Sequence, residues 1–262
     1  MTANQLKQHS NYGFIVPNYN HPVEIESTIN ALSEFQLPII LVDDGSDQHT
    51  KEVLEDIAQK QSNITLIRHN ENQGKGSAVQ TGLKRAIEEN WSHAIQIDAD
   101  GQHNLNDIEL FIETSKQSPS ALISGQPIYD ENIPKGRYYG RFITHFWVYI
   151  ETLSTDIKDS MCGFRVYPLL QYKQLTEQMR LGNKMDFDTE VMVKLYWQGV
   201  EVIFIPTKVN YPESGISHFQ MFNDNLLISW MHTKLFFGMI IRIPKILLNK
   251  FKMKKGVPHN GS

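Results

Sequence analysis

Ala94-Ile95-Gln96-Ile97-Asp98-Ala99-Asp100-Gly101-Gln102-His103 is the stretch whose reading decides the fold. Its first half is a short apolar run, read as a buried strand, and its second half delivers two carboxylates to one strand end. In an open α/β sheet, ligands bind outside the carboxyl ends of the strands. Side chains two apart on an extended chain share a face. Asp98 and Asp100 therefore suit one hard divalent cation, Mg²⁺ or Mn²⁺, with Gln102 as a third oxygen donor two residues on. A cation held by so few protein ligands keeps positions for diphosphate and water. The pattern points to a phosphorylated, nucleotide-bearing substrate. Asp-x-Asp also arises by chance in acidic loops, and it is the placement at a strand end that favours chemistry. His103 reads as a neighbour of this site rather than a ligand.

On either side of this stretch, strand and helix patterns alternate over the first 125 residues. Tyr12–Val16, Ile39–Val42, Ile64–Ile67 and Ala121–Ser124 read as strands, and Val23–Phe35, Thr50–Gln61, Gly74–Asn90 and Asn106–Lys116 as helices. Such alternation implies a mostly parallel sheet with helices on both faces. Beyond Gly125 the pattern loosens. Ile128–Tyr139 is rich in Gly, Pro and charge and reads as a loop able to cover a site. Arg141–Leu153 and Phe187–Trp197 read as helices, and Val200–Ile205 as a late strand stopped by Pro206. The organisation expected is a polar N-terminal tail over 1–10, an α/β domain over 11–219, basic amphipathic helices over 220–255 and a flexible tail over 256–262.

The 262 residues, 40% hydrophobic and 21% charged, suffice for one domain with a substantial core. A single cysteine, Cys162, excludes an internal disulfide and suits a reducing compartment. Met1–Ser10 lacks an apolar core of signal-peptide length, which argues against export. The net charge of −4 hides an asymmetry. Up to Asp224 there are 18 Lys and Arg against 29 Asp and Glu; after it there are seven basic residues and no acidic one. An acidic body with a cationic end points to a specific anionic surface and not to nucleic acid.

Four further segments carry candidate chemistry. Asp43-Asp44-Gly45-Ser46 follows a strand and should share the sheet edge with Asp98, where a carboxylate could accept from a base NH or ribose hydroxyls; alone it is equally a turn, but the second acidic strand end beside it favours the functional reading. Asn72-Gln73-Gly74-Lys75-Gly76 opens a helix without Walker A spacing, and Lys75 could reach a phosphate or stand solvated. Asp159-Ser160-Met161-Cys162-Gly163-Phe164-Arg165 joins an acid to a guanidinium that could pair with phosphate or with Asp159 itself. Cys162 there reads as a packed residue, not a nucleophile. Asp186-Phe187-Asp188-Thr189-Glu190 opens a helix, where acids are favoured by the dipole alone. Asp188 or Glu190 could act as a general base, but positions i and i+2 point apart, so at most one faces the site. The glycine-bearing loop Ser214–Phe219 carries His218, placed to meet a diphosphate if the loop closes.

Together these segments, with Ile15-Val16-Pro17-Asn18-Tyr19-Asn20, resemble the family 2 inverting glycosyltransferases of GT-A fold. The likeness runs from about Phe14 to about Phe219. It is nearest to the polyprenyl-phosphate (dolichyl-phosphate mannose synthase-like) branch and to bacterial relatives that glycosylate lipid-like molecules. The resemblance implies a nucleotide-sugar donor, UDP- or GDP-linked, met by Pro17, Tyr19, Asn20, Asp43, Asp44, Lys75, Asp98, Ala99 and Asp100. It implies a metal held by Asp98, Asp100 and Gln102. Catalytic acids would be Asp188 and Asp159, with Arg141, Arg165 and His218 contacting phosphate or acceptor. A hydroxyl acceptor needs a base, which is the role expected of Asp188; a phosphate acceptor is already ionised and needs none. Two departures from the family pattern stand out. His21 occupies a position where the family often has Glu, and Gln126 follows Ser124-Gly125 where an arginine is common in the polyprenyl-phosphate branch. A sugar-1-phosphate nucleotidyltransferase would want a Gly-rich, Arg/Lys-bearing loop after the first strand, which Pro17–Asn20 does not supply. A non-catalytic membrane-binding module is the remaining alternative.

Between Phe222 and Lys255, apolar runs end at Lys234, Arg242 and Lys245, each short of the roughly 20 residues of a spanning helix. Apolar helices flanked by Lys and Arg suit the interface of an anionic membrane. The other reading is a helix packed on the catalytic core with a solvated basic face. The expected location is the inner face of the cell membrane, peripherally attached, next to a lipid-linked or lipid-like acceptor.

Overall fold

The protein is described here by a computed structural model covering residues 11–128, 135–209 and 221–254. Its centre is a seven-stranded sheet. In chain order the strands are β1 (Tyr12–Asn18), β2 (Ile39–Asp43), β3 (Ile64–Arg68), β4 (His93–Gln96), β5 (Leu122–Ile128), β6 (Arg165–Pro168) and β7 (Val202–Lys208). They lie in the order β3-β2-β1-β4-β6-β5-β7. All neighbours pair in parallel except β6, which runs antiparallel to both β4 and β5. The helices are α1 (Glu24–Ser33), α2 (Gln48–Lys60), α3 (Lys75–Glu88), α4 (Ile108–Gln117), α5 (Lys135–Thr152), α6 (Leu169–Gln178), α7 (Phe187–Trp197) and α8 (Met221–Lys254).

Strand alternation sends successive side chains to opposite layers. Phe14, Val16, Ile39 and Leu41 pack with Ile29 of α1, Leu54 of α2 and Phe111 of α4. Ile15, Ile40 and Val42 pack with α3, α6, α7 and α8. Both faces being covered, the strands read as near-continuous apolar runs rather than alternating ones. Strand order reverses at β1, with β2 on one side and β4 on the other, so a crevice opens at their carboxyl ends.

Four features differ from the sequence expectation. β4 stops at Gln96, so Asp98–Asp100 stand in the turn beyond it, not on an extended strand whose alternation would align them. The strand β6 and helix α6 are additional; Arg165-Val-Tyr-Pro is too short and too polar at its start to announce a buried strand. The C-terminal segment is one helix, with Pro244 inside it, instead of several. Of the expected loop Ile128–Tyr139, Ile128 ends β5 and Lys135–Tyr139 open α5, while residues 129–134 lie outside the described residues, as do the Ser214–Phe219 loop with His218 and both tails.

Candidate active site

The crevice at the ends of β1, β2 and β4 is closed by the start of α3, the loop before β6 and the first turn of α7. Each contributes a charge. Gly74, at φ +101°, turns the chain sharply into α3, and a Cβ there would stand 2.6 Å from the Asn183 carbonyl oxygen. That turn sets Lys75 at the helix start. Its Nζ lies 2.8 Å from Asp98 Oδ2 and 3.1 Å from Asp188 Oδ2. One ammonium thus ties the acid after β4 to the acid opening α7, which are 90 positions apart in sequence.

The electrostatics follow from this bridge. Burial would raise the Asp98 pKa, but Lys75 and the His103 ring hold it well below the usual carboxylate range. Asp100 moves the other way: burial and the nearby Asp98 charge push it up. Lys75 is held above its ordinary value, its burial outweighed by Asp188 and Asp98. Asp100 Oδ1 accepts the Gln102 amide at 3.1 Å, and Ala99 is buried between the two acids. Both ring nitrogens of His103 are buried without a hydrogen-bond partner, although Nε2 stands 3.4 Å from Asp98. Gly163 packs so tightly on Asp98 that a Cβ would fall 2.2 Å from Oδ2.

Among the described residues no group of three or more His, Cys, Asp or Glu is set to hold a metal. Two neighbouring carboxylates, one of which raises the other's pKa, beside a buried imidazole fit a divalent cation that takes its remaining ligands from a diphosphate. Asp98 and Asp100 would hold it. Gln102, half-buried in the same turn, stands beside them.

Asp188 and Glu190 diverge as helical spacing requires. Asp188 faces Lys75 and the Arg165 guanidinium, 3.9 Å from its Oδ1. Glu190 faces away, toward Lys194 at 2.8 Å and Lys234 at 3.7 Å. Arg165 is fully buried and spends its donors on the carbonyls of Cys162, Ser160 and Asp188. Where the sequence expectation was a contact to phosphate or acceptor, the structure has a guanidinium closed off from solvent that ties β6 to α7. Asp159, also buried, accepts from the Met161 and Cys162 amides at 2.8 Å and faces Arg141 at 3.3 Å and His145 at 3.5 Å. Burial opposes its charge, yet His145, Arg141 and the Met161 amide keep its pKa low. The Cys162 thiol is pushed up to about 12, chiefly by burial, as expected of a packed residue.

The side expected to meet a nucleotide shows a division of labour. Asp43 pairs with Arg68 at 2.8 Å and accepts the Ser46 amide. Asp44 accepts from Gln73 and Gly74 amides and from His69 at 2.7 Å. Asn20, at φ +54°, accepts from the Asp47 amide. These three brace the loops that follow β1, β2 and β3. Pro17 is buried at the end of β1 and Tyr19 is half-buried. Sequence reasoning passed over Asn18. It is 2% exposed, and neither side-chain amide atom has a protein partner. Buried amides are nearly always satisfied, so this one is suited to a bound ligand. Its only sequence signal was a polar residue at a strand's carboxyl end. His145, which became visible only through α5, had none.

The family model described as glycosyl transferase family 2 matches residues 14–173. A UDP-N-acetylglucosamine–dolichyl-phosphate N-acetylglucosaminyltransferase from Methanococcus voltae is 26% identical over 251 residues, spanning 89% of this chain and 96% of that protein. A dolichyl-phosphate beta-glucosyltransferase from Dictyostelium discoideum is 25% identical over 253 residues, spanning 88% and 76%. Among solved structures, S. aureus TarS 1-349 in complex with UDP-GlcNAc superposes with a TM-score of 0.60 at 13% identity, over 92% of this chain and 73% of that one. The mannosyltransferase PcManGT from Pyrobaculum calidifontis, in complex with GDP-Man and Mn²⁺, gives 0.56 at 15% identity, over 91% and 73%. At these identities the superpositions speak for the fold.

Proposed function

Because the chain belongs to glycosyl transferase family 2 and is a nucleotide-sugar glycosyltransferase of GT-A fold, we propose that it transfers one sugar, with inversion, to the phosphate of a lipid carrier at the inner face of the cell membrane. The observation that carries the acceptor class is the state of Asp188. Its Oδ2 is engaged by Lys75 at 3.1 Å, while its Oδ1, buried without a hydrogen-bond partner, lies 3.9 Å from Arg165, so one of its oxygens is already taken by a cation. A lipid hydroxyl would need a base to take its proton; a lipid phosphate is already ionised and attacks without one. Relatives that act on dolichyl phosphate support the same choice. The hydroxyl acceptor, favoured from sequence because Gln126 stands where the polyprenyl-phosphate branch commonly has an arginine, with Asp188 as its base, becomes the second reading.

The residues' roles follow. Asn18 and Tyr19 would meet the nucleoside, and Asp98 and Asp100 would hold Mg²⁺ or Mn²⁺ against the diphosphate. When bound, that cation neutralises charge growing on the leaving nucleoside diphosphate. Lys75, at the positive end of α3, adds a second fixed charge on the same side. Arg141, held by Asp159 at the domain's edge, is the candidate contact for the acceptor phosphate.

Two assays test this. Thermal-shift screening of UDP-, GDP- and dTDP-sugars with and without Mn²⁺ identifies the donor, since a ligand of the folded state raises apparent stability. With that donor, a polyprenyl phosphate and the polyprenol of equal length are offered in parallel. Transfer to the phosphate alone is the expected result; transfer to the alcohol alone overturns it.

A further inference from the structure

α8 has two apolar faces. The inner one, with Met231, Leu235, Met239 and Ile246, is buried in the core beside α7. The outer one carries Leu226, Trp230, Phe237, Ile241 and Leu248, separated by four, seven, four and seven residues, and so falls in one stripe. All five are more than half exposed, and Ile241 is 79% exposed. α5 continues this surface. Its Phe142, Ile143 and Phe146 are also more than half exposed, and Trp147 meets Phe236 of α8 edge-on at 6.3 Å. Eight large side chains at about 100 Å² each make a patch on the order of 800 Å², above the roughly 300–600 Å² of a typical largest patch.

We propose that α5 and α8 form a single platform that lies in the plane of an anionic bilayer, at the boundary of headgroups and acyl chains, without crossing it. The occupant follows from charge. From Asn225 onward the chain has seven basic and no acidic residues, whereas the remainder carries −11. The segment that carries the outer stripe is thus the cationic one, attracted by anionic lipid while the acidic remainder opposes contact elsewhere. The orientation follows from packing. Residues 223–251 are long and apolar enough to span a membrane by composition. Crossing would strip the inner face from the core. It would separate Asn249 Nδ2 from the Trp197 carbonyl (2.9 Å) and His232 Nδ1 from the buried Glu151 carboxylate (2.8 Å). A helix of about 50 Å lying flat keeps these bonds and immerses only the outer stripe. The proposal deepens the reading of a lipid-borne acceptor: α5 presents Phe142 and Phe146 outward while Arg141 and His145 face Asp159, so membrane and site share one helix.

The test uses the full chain and needs no acceptor. Flotation is measured with phosphatidylcholine vesicles, with and without phosphatidylglycerol, for wild type, Phe142→Ser/Phe146→Ser and Trp230→Ser/Ile241→Ser. All substituted positions are exposed, and unchanged melting curves and unchanged donor hydrolysis in vesicle-free buffer certify the fold. Wild type should float only with the anionic vesicles and be released by alkaline carbonate. Each double variant should partition about tenfold or more weakly. Binding indifferent to the α5 pair would overturn the platform, leaving the basic tail alone. Resistance to carbonate would overturn the in-plane orientation. Dimers abolished by the same substitutions, with no vesicle binding, would make the face an interface between copies. Vesicle binding as expected but no transfer to polyprenyl phosphate would count against the acceptor reading and not against the platform.

Discussion

Lys75→Met removes the one ammonium that joins the two halves of the site. In the wild type it lies 2.8 Å from Asp98 and 3.1 Å from Asp188, and the three side chains are 23%, 18% and 10% exposed. At an effective dielectric of about 20, each contact has a Coulomb energy of roughly 5–6 kcal/mol, a ceiling from which the desolvation of Lys75 must be subtracted. Breaking a buried pair from one side costs about 3–5 kcal/mol, because a carboxylate is left uncompensated. Partial solvent access lowers this to about 3 kcal/mol, or a fall of about 6–12 °C in melting temperature for a domain of this size. Mn²⁺ should restore part of that loss, since it replaces positive charge at Asp98. The Mn²⁺-induced rise should therefore be larger in the variant than in the wild type, and Mn²⁺ affinity without donor, read by electron paramagnetic resonance, should be higher. Lys75→Arg should behave like wild type in stability. A melting temperature within about 2 °C of wild type, or equal Mn²⁺ affinities, would refute the bridge as a competitor of the metal.

Three other outcomes follow from the same geometry. Gly163→Ala should cut turnover more than stability, because its Cβ would displace the Asp98 carboxylate 2.2 Å away; kinetics with normal kcat would contradict this. Arg165→Lys should cost about 2–4 kcal/mol in chemical denaturation, since one ammonium cannot serve three buried carbonyls. Its donor KM should stay unchanged, and a raised KM would reinstate a phosphate contact. His93 is buried at the start of β4, and burial depresses its pKa below 6.5 despite the Pro119 carbonyl. Its neutral form belongs to the folded state, so the stability it contributes is complete above pH 6.5 and is lost as pH falls through the depressed value. His93→Gln should flatten that acid limb of the stability curve, and an identical slope would assign the limb elsewhere.

The sheet was legible where local pattern and tertiary demand coincide. Strands covered on both faces are runs such as Ile39-Ile40-Leu41-Val42, which no helix period competes with, and Phe187–Trp197 was bounded to the residue. β6 escaped because its identity lies in its partners: Arg165 enters a strand only because three carbonyls are waiting for it. The acids at the sheet edge were likewise legible, but their employment was not. Asp43 and Asp44 look alike in sequence, yet both are spent inside the protein on Arg68, His69 and loop amides, while the unannounced Asn18 is left with nothing to bind.

By itself the sequence determined the layered α/β architecture, the placing of an acidic pair near the end of β4, the divergence of Asp188 from Glu190 and the sign of the charge at each end of the chain. These depend on periodicity and composition, which neighbours in the chain can enforce. Tertiary structure alone decided that Lys75 spans Asp98 and Asp188, that Arg165 is sealed from solvent, and that α8 buries one apolar face while showing another. Each is a matter of which distant group arrives within a few ångströms, and charge and burial act over that distance in space whatever the separation along the chain.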